Sequence, residues 1–176
     1  MSDDNEINIT IDDRPVTVPK GTLVVEAANT IGLEIPVFCY HEKLGPFGCC
    51  RMCLVEVEKM PKLATACTQT VMPDMVVKTN TDKVKKAREG VLEFTLLNHP
   101  LDCPVCDKGG ECPLQNNAFK HGSGGTRMEF ERAHNAKATP LSPVITIDRE
   151  RCIACQRCTR YSDIIEQESA LVMLNR

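Results

Sequence analysis

The sequence predicts an α+β protein with a sheet-containing N-terminal domain followed by small domains rich in loops. Strand and helix patterns alternate along the first 80 residues, whereas closely spaced cysteines dominate the remainder. Only 43 of the 176 residues are Leu, Ile, Val or Phe, about 24%, so any hydrophobic core is expected to be thin. The 11 cysteines outnumber the 10 glycines, which makes cysteine the feature to be explained.

Residues 1–80 are predicted to form the first domain. Apolar and polar residues alternate on both sides of a turn rich in Asp and Pro, which indicates a β-hairpin. A helix follows, with Thr22 as its expected N-cap and Gly32 at its end. The predicted elements are strands 7–11 and 16–18, a helix over 22–31, and strands 53–57 and 75–78.

The rest of the chain is predicted to contain two further small domains and a linker. Apolar residues at helical spacing predict a helix over 82–97, capped by Thr81 and stopped by Pro100, which delivers His99 at its end. The predicted segments are a domain over 81–121, a linker over 122–143, and the start of another domain over 144–176, with a strand at 144–147 and a helix beginning near Cys158.

Composition and charge exclude several classes of function. Lys and Arg number 21 against 24 Asp and Glu, so the net charge of −3 gives no general surface for nucleic acid. No apolar run approaches the roughly 18 residues of a membrane-spanning helix, and the acidic start is unlike a signal or transit peptide. A cytoplasmic protein is expected, and in that reducing compartment clustered cysteines indicate metal binding or catalysis rather than disulfides.

The first cysteine group has the spacing expected of a [2Fe–2S] site. The long gap between its first two members must be a loop, which Gly45 and Pro46 suit. Cys49 is interpreted as a bystander because only Cys50 leaves two residues before the next ligand. A four-cysteine zinc site is the alternative for this group alone. The predicted ligands are Cys39, Cys50, Cys53 and Cys67.

The second group combines one histidine with three cysteines. Three cysteines within ten residues, two of them directly followed by proline, indicate a tight cage rather than a helix or a strand. A histidine just before them provides the missing fourth ligand, whereas His41, His121 and His134 are expected to be surface residues. When this motif is considered alone, a zinc site with three thiolates and one imidazole remains an alternative. The predicted [4Fe–4S] ligands are His99, Cys103, Cys106 and Cys112.

The third group has the spacing of the first three cysteines in a [4Fe–4S] binding motif. Its members are Cys152, Cys155 and Cys158. Ser162 stands where a bacterial ferredoxin has its next cysteine, so the fourth ligand must come from elsewhere, with Asp163 the nearest candidate. Four arginines surround this group, either as a solvated face or to temper the negative charge of a cluster; they are Arg149, Arg151, Arg157 and Arg160.

Three iron–sulfur motifs on one chain indicate a protein that transfers electrons. The sequence has no constellation for nucleophilic catalysis, no Gly-rich phosphate loop, and no flavin or nicotinamide fingerprint. We therefore expect the chemistry at either end of the electron path to belong to partner subunits.

The motifs resemble a known family over nearly the whole chain. They are the run from His99 to Gln115 (HPLDCPVCDKGGECPLQ), Cys50–Glu56 (CRMCLVE) and Cys152–Arg160 (CIACQRCTR). In this order they resemble the N-terminal iron–sulfur region of the G subunit, the large iron–sulfur subunit in the peripheral arm of NADH:quinone oxidoreductase (complex I). The resemblance implies a ferredoxin-like β-grasp domain holding [2Fe–2S] on the first group, then a [4Fe–4S] cluster on His99 and its three cysteines, then a [4Fe–4S] cluster partly held by the third group.

The resemblance also implies a function within a larger complex. Members of this family accept electrons from a flavin-bearing, NADH-oxidising subunit and pass them towards quinone, and ion translocation occurs elsewhere in the assembly. The expected partners are that flavoprotein and other peripheral-arm subunits, on the cytoplasmic face of a bacterial inner membrane. No complete active site is expected on this chain, and contact with the membrane would be indirect.

The sequence departs from this family in two respects. The family's further cysteine set and large C-terminal region are absent, as is the last ligand of the third cluster, so a truncated chain with that ligand beyond residue 176 is expected.

Two alternative functions stay open. The diaphorase subunit of a NAD-linked hydrogenase or formate dehydrogenase shares the three sites, although Ser162 favours complex I. The alternative from a different functional class is a structural module stabilised by zinc, with no redox role.

Overall fold

The computed structural model describes residues 5–173 as two compact units. The first comprises residues 5–88 together with 156–173, and the second comprises Glu89–Cys155. The predicted α+β class is confirmed, since the described residues form a five-stranded sheet, a two-stranded sheet and four α-helices. No helix in this part of the chain has both the length and the apolar character that crossing a bilayer requires.

The five-stranded sheet of the first unit begins with the predicted hairpin. Its register places Ile11 opposite Arg14, and the two residues between them, Asp12 and Asp13, have φ angles of 45° and 64°. Two left-handed residues are what a two-residue hairpin turn requires, and Asp tolerates that conformation. The strands are β1 (Glu6–Ile11), β2 (Arg14–Pro19), β3 (Leu54–Val57), β4 (Ala64–Thr65) and β5 (Val76–Lys78), in the order β2-β1-β5-β3-β4. Among the strand pairs that the structure describes in this sheet, β1–β5 alone is parallel.

Helix α1 (Val24–Thr30) supplies the apolar face that packs with the sheet. Its N-cap is Leu23, so the predicted capping by Thr22 is wrong. The Thr22 hydroxyl instead donates to the carbonyl of Pro19 at 2.7 Å, and the Glu26 carboxylate accepts from the Leu23 N–H at 3.0 Å. With α1 on this mixed sheet, the first unit has the β-grasp arrangement that the resemblance implied, and its core is drawn from residues 7–77.

The remaining helices include one that the sequence did not indicate. Helix α2 (Asp82–Leu96) begins as predicted, with the Val84 N–H donating to Thr81 Oγ1 at 3.3 Å. Helix α3 (Pro113–His121) was not predicted, although a proline at the first position is favourable for a helix. Helix α4 (Arg157–Ile164) starts beside Cys158 as predicted.

The second unit has very few buried apolar side chains. Apart from proline, those of Glu89–Cys155 are Leu92, Leu114 and Ala154. Its two-stranded sheet pairs β6 (Thr139–Pro140) with β7 (Thr146–Ile147), the latter lying within the predicted strand at 144–147. Burial of apolar surface therefore contributes little to the stability of this unit.

Candidate metal centres

The pairing of β3 with β4 brings two cysteines of the first group together. Leu54 lies opposite Thr65 in this register, and the Ala66 N–H donates to the carbonyl of Cys53 at 3.1 Å. Cys53, directly before β3, and Cys67, just after β4, therefore occupy neighbouring positions. Both are buried, at 1% and 0% exposure.

The other two cysteines of this group come from the loop between α1 and β3. Cys39 is buried and Cys50 is half-buried, whereas Cys49 is exposed. The loop turns at Gly45 and Gly48, whose φ angles of 72° and 74° lie in the left-handed region that favours glycine. The loop predicted from the glycines is therefore the means by which Cys39 and Cys50 reach the same place.

The thiols of Cys39, Cys50, Cys53 and Cys67 lie close enough together to form hydrogen bonds with one another. Cys39 hydrogen-bonds with Cys50, Cys67 and the exposed Cys49, and Cys67 also hydrogen-bonds with Cys53. These bonds lower the pKa of Cys39 and of Cys53 and raise the pKa of Cys50 and of Cys67. Because hydrogen bonds from some of these thiols stabilise the deprotonated form of their neighbours, the arrangement suits a site that binds a metal centre through thiolate sulfur.

Three arginines, two of them buried and one half-buried, lie next to this group of thiols. Arg160 of α4, which is 8% exposed, donates from Nη1 to the carbonyl of Cys39 at 3.1 Å. Arg157 donates from Nη2 to the carbonyl of Tyr40 at 2.7 Å. Arg88, 5% exposed, donates to the carbonyl of Leu54 at 3.0 Å; burial lowers its pKa, and the charge of Cys53 opposes that effect.

The sequence associated Arg157 and Arg160 with the third cysteine group, to which they are close along the chain. Their contacts with the first loop instead join residues more than 110 positions apart. No local pattern in the sequence signals a contact of that separation.

In the second unit, all four candidate ligands of the second group line one cavity of about 270 Å³. These are His99, Cys103, Cys106 and Cys112, and the remaining wall is largely apolar. A water molecule occupies about 30 Å³ in the liquid, so this space exceeds what a single ion needs. The four side chains are therefore arranged around a volume rather than drawn together at a point.

Local structure explains how the second group reaches this cavity. His99 follows α2, and Cys112 is the N-cap residue of α3. Between them the backbone folds tightly at Gly109, where a Cβ atom would lie 2.9 Å from the carbonyl oxygen of Cys103 and 3.1 Å from that of Cys106. The fold of this loop therefore depends on the lack of a side chain at Gly109.

Electrostatics around His99 favour a metal-binding form of the imidazole. Burial lowers the pKa of His99. The ring is therefore neutral at neutral pH, and a neutral ring nitrogen has the lone pair that metal coordination needs.

A charged network anchors the loop between His99 and Cys103. Asp102 accepts from Arg151 at 3.1 Å and pairs with Lys137, and the hydrogen bond from Lys137 is the main reason that the pKa of Asp102 is lowered. Lys137 also contacts the buried Glu150 at 2.7 Å, which lowers the pKa of Glu150 to about 2. This network was not predicted, because its members are scattered over nearly 50 residues.

The cysteines of the third group fall in different units. Cys152 and Cys155 belong to the second unit, and Cys158 lies on α4 in the first. Ala154 and Gln156 adopt left-handed φ angles of 50° and 59°, and the Ala154 N–H donates to the Cys152 sulfur at 3.4 Å. The assignment of these three cysteines to one cluster stays a prediction.

Ser162 and Asp163, which follow the third group in sequence, have partners in the first unit. Ser162 is buried and accepts from the Ala170 N–H at 2.9 Å, so it stabilises the turn that follows α4. The Asp163 carboxylate accepts from the Ser169 hydroxyl at 2.8 Å.

Within residues 5–173, no group of three or more His, Cys, Asp or Glu side chains is arranged as a site for one metal ion. Zinc in a structural site draws four ligands to within about 2.0–2.3 Å of a single point. The donor atoms of the two groups, thiol sulfur with one imidazole nitrogen in the second, are of the kinds that bind iron–sulfur clusters.

Two families match successive parts of the chain. Residues 4–82 match the family described as a 2Fe-2S iron-sulfur cluster binding domain. Residues 88–127 match the NADH-ubiquinone oxidoreductase-G iron-sulfur binding region. The expected [2Fe–2S] and [4Fe–4S] binding regions of the first two groups are therefore confirmed at the level of family.

Curated relatives match almost the entire chain. The G subunit of NADH-quinone oxidoreductase from Streptomyces coelicolor is 48% identical over 172 residues, which are 97% of this chain and 20% of that protein. The mitochondrial NADH-ubiquinone oxidoreductase 78 kDa subunit of Neurospora crassa is 47% identical over 163 residues, 91% of this chain and 22% of that protein. The chain thus spans about a fifth of the length of these relatives.

A solved structure shares the fold. A chain in the crystal structure of NAD⁺-reducing [NiFe]-hydrogenase in the H2-reduced state matches with a TM-score of 0.86 and 30% sequence identity. The match covers 97% of this chain and 71% of that one.

Proposed function

Because the chain belongs to the family of the iron–sulfur region of the NADH-quinone oxidoreductase G subunit, we propose that it transfers electrons within such a complex. The electrons would enter from a flavin-bearing subunit that oxidises NADH and leave towards quinone. The observation that carries this proposal is the convergence of four thiols in the first unit, three of them buried and the fourth half-buried. The iron–sulfur groups, when bound, supply one-electron redox couples.

We assign Cys39, Cys50, Cys53 and Cys67 as the ligands of the [2Fe–2S] cluster. Their mutual hydrogen bonds support this assignment, because thiols within hydrogen-bonding distance of one another are close enough to bind one cluster together. Cys39 and Cys50 come from the loop, and Cys53 and Cys67 from the ends of β3 and β4. Their burial excludes water, which keeps the effective dielectric low and protects the bound sulfur.

We assign His99, Cys103, Cys106 and Cys112 as the ligands of a [4Fe–4S] cluster. Support comes from the single cavity that the four side chains line and from the match of this region to the oxidoreductase-G family. The neutral imidazole of His99 makes this site less negative by one charge than a four-thiolate site, which favours the reduced form.

The third group is proposed to contribute Cys152, Cys155 and Cys158 to a further [4Fe–4S] cluster. The hydrogen bond from the Ala154 N–H to the Cys152 sulfur supports this role, because backbone N–H groups commonly stabilise thiolate ligands. Three protein ligands are supplied here, one fewer than such a cluster normally has.

The proposed setting is a peripheral subunit of a multi-subunit assembly on the cytoplasmic face of a bacterial inner membrane. Its partners would be the NADH-oxidising flavoprotein and other peripheral-arm subunits. Quinone reduction and ion translocation would take place on other subunits.

Deletion of the chain from its organism, followed by complementation, tests this proposal. Membranes of the deletion strain are expected to lose NADH:quinone reductase activity, which the unmodified protein restores and the Cys53→Ser variant does not. Cys49→Ser is the matched control, because it removes an exposed thiol from the same loop. Unchanged NADH:quinone activity in the deletion strain would contradict the proposal.

A second candidate is the diaphorase component of a NAD⁺-reducing hydrogenase. The high structural similarity to a chain of that enzyme favours it, and the match covers 71% of the hydrogenase chain against about a fifth of the NADH-quinone oxidoreductase relatives. In the same deletion strain, loss of H2-dependent NAD⁺ reduction with intact NADH:quinone activity would select this function instead.

A further inference from the structure

We infer that Arg160 is a positioning residue for the [2Fe–2S] site, holding its ligand loop closed and raising the reduction potential of the cluster through its buried charge. This inference deepens the proposed function and rests on it. It concerns an arginine that the sequence associated with the third cysteine group.

The guanidinium of Arg160 bridges the two ends of the tight turn after Cys39. Nη1 donates to the carbonyl of Cys39 at 3.1 Å, and Nη2 donates to the carbonyl of Gly45 at 2.9 Å and to that of Leu44. The planar fork of donors in arginine suits binding to several acceptors at once. One side chain therefore fixes the backbone of a ligand and the point at which the chain turns towards Cys50.

Neighbouring contacts hold the guanidinium in this position. Its central carbon lies 4.5 Å from the centroid of the Phe47 ring, a favourable cation–π geometry. Arg157, one helical turn earlier on α4, donates to the carbonyl of Tyr40 at 2.7 Å. Two arginines on one helix face thus bind successive carbonyls of the same loop.

The charge of Arg160 is buried without an opposing carboxylate. Among residues 5–173 its partners are carbonyl oxygens and an aromatic ring, and no ion pair involves it. A buried cation is costly unless a negative group lies near it. A thiolate-ligated cluster at Cys39 would be such a group, since the bonded carbonyl belongs to the ligand residue itself.

The sign of the electrostatic effect follows from the charges involved. A cluster held by four thiolates is negative, and reduction adds one more negative charge. A fixed cation nearby stabilises the reduced form more than the oxidised form, so it raises the reduction potential. Removal of the charge should therefore make the cluster harder to reduce.

The experiment is a redox titration of the 176-residue chain, purified without oxygen. The reduced [2Fe–2S] signal is followed by electron paramagnetic resonance at a temperature at which faster-relaxing four-iron clusters are not seen. Arg160→Gln is expected to shift the midpoint to a lower potential and to speed the loss of iron to a chelator. Arg160→Lys is expected to keep a midpoint closer to that of the unmodified chain while still losing iron faster, because it keeps the charge but lacks the forked donors.

Arg14→Gln is the matched control, since it removes an exposed positive charge from the β1–β2 turn of the same unit. It is expected to leave both the potential and the rate of iron loss unchanged. If Arg160→Gln does not fold, Arg157→Gln provides the same test, with a smaller shift in the same direction, because Arg157 is half-buried and donates to one carbonyl.

Two results would overturn the inference: an Arg160→Gln potential equal to that of the unmodified chain, or an equal shift in Arg14→Gln. In either case the unmodified chain would still show its [2Fe–2S] signal, so the assignment of the first cluster would stand. Absence of that signal in the unmodified chain would instead refute the assignment of the first cluster, and this inference with it.

Discussion

At the scale of single residues, His99 is distinguished from the other histidines by its surroundings. It lines the cavity with three cysteines, whereas His121 lies outside it at the end of α3. His99→Ala is expected to abolish the signal of one reduced [4Fe–4S] cluster and to lower the iron content by up to about four atoms per chain, because it removes a proposed ligand. Iron analysis and electron paramagnetic resonance measure both effects.

His121→Ala is the control for this substitution and should retain the iron and the spectrum of the unmodified chain. An unaltered spectrum in His99→Ala would show that another group is the fourth ligand.

Adjacent cysteines offer a second comparison at this scale. Both hydrogen-bond to Cys39, but Cys50 is half-buried and lies three positions before Cys53, whereas Cys49 is exposed. Cys50→Ser is therefore expected to remove or strongly alter the [2Fe–2S] signal, and Cys49→Ser to leave it nearly unchanged. The visible absorption spectrum and iron content measure this difference, and the reverse result would reassign the ligand.

At the scale of secondary-structure elements, the loop between Cys103 and Cys112 depends on the close approach of Gly109. Gly109→Ala would place a Cβ atom against two carbonyl oxygens of the ligand loop. We expect a cost of about 1–3 kcal/mol, as for other overpacked sites, and faster loss of iron from the second cluster. Iron release to a chelator, followed over time, measures the effect.

Gly125→Ala is the matched control for Gly109→Ala, since nothing lies within 4 Å of its added Cβ atom and neither glycine has a positive φ angle. Equal rates of iron release in the two variants would show that the close approach at Gly109 has no effect on the cluster.

The elements also show which parts of the structure were accessible from sequence. The hairpin, α1, α2 and the start of α4 were predicted because periodicity and capping are local signals. The start of α1 was misplaced because the Thr22 hydroxyl bonds to Pro19 instead of capping the helix. Strand β4 has only two residues, too few for a pattern.

The candidate ligand groups were predicted from signals of the same local kind, because each consists mostly of short spacings with a characteristic residue type, and their assignment residue by residue stays a prediction. Their supporting contacts were not predicted. Arg160 reaches residues 115–121 positions away, and Lys137 joins Asp102 to Glu150. Such contacts depend on tertiary structure, and a single sequence contains no local signal for them.

At the scale of the whole molecule, the two units differ in what stabilises them. The first has a continuous hydrophobic core from residues 7–77, whereas the second buries few apolar side chains and contains the cavity lined by His99. Iron removal under reducing conditions is therefore expected to make Glu89–Cys155 sensitive to trypsin while residues 5–88 stay resistant. Mass spectrometry of the fragments measures this.

Cys112→Ser is the matched variant for this experiment. With iron present, it should show the same sensitivity of Glu89–Cys155 as the iron-free protein, because it removes a proposed ligand of the second cluster alone. Equal cleavage of both units after iron removal would contradict the expected difference in stability.

The number of clusters that the 176-residue chain holds by itself follows from its ligands. Two groups provide four candidate ligands each, whereas the third provides Cys152, Cys155 and Cys158. Asp163 is the nearest alternative donor, but its carboxylate accepts a hydrogen bond from Ser169. Since such clusters normally have four protein ligands, we expect the third cluster to be labile or to contain three irons in this chain. Mössbauer and electron paramagnetic resonance spectra of the unmodified chain and of Asp163→Ala should then agree. A stable third [4Fe–4S] cluster that disappears in Asp163→Ala would identify Asp163 as its fourth ligand.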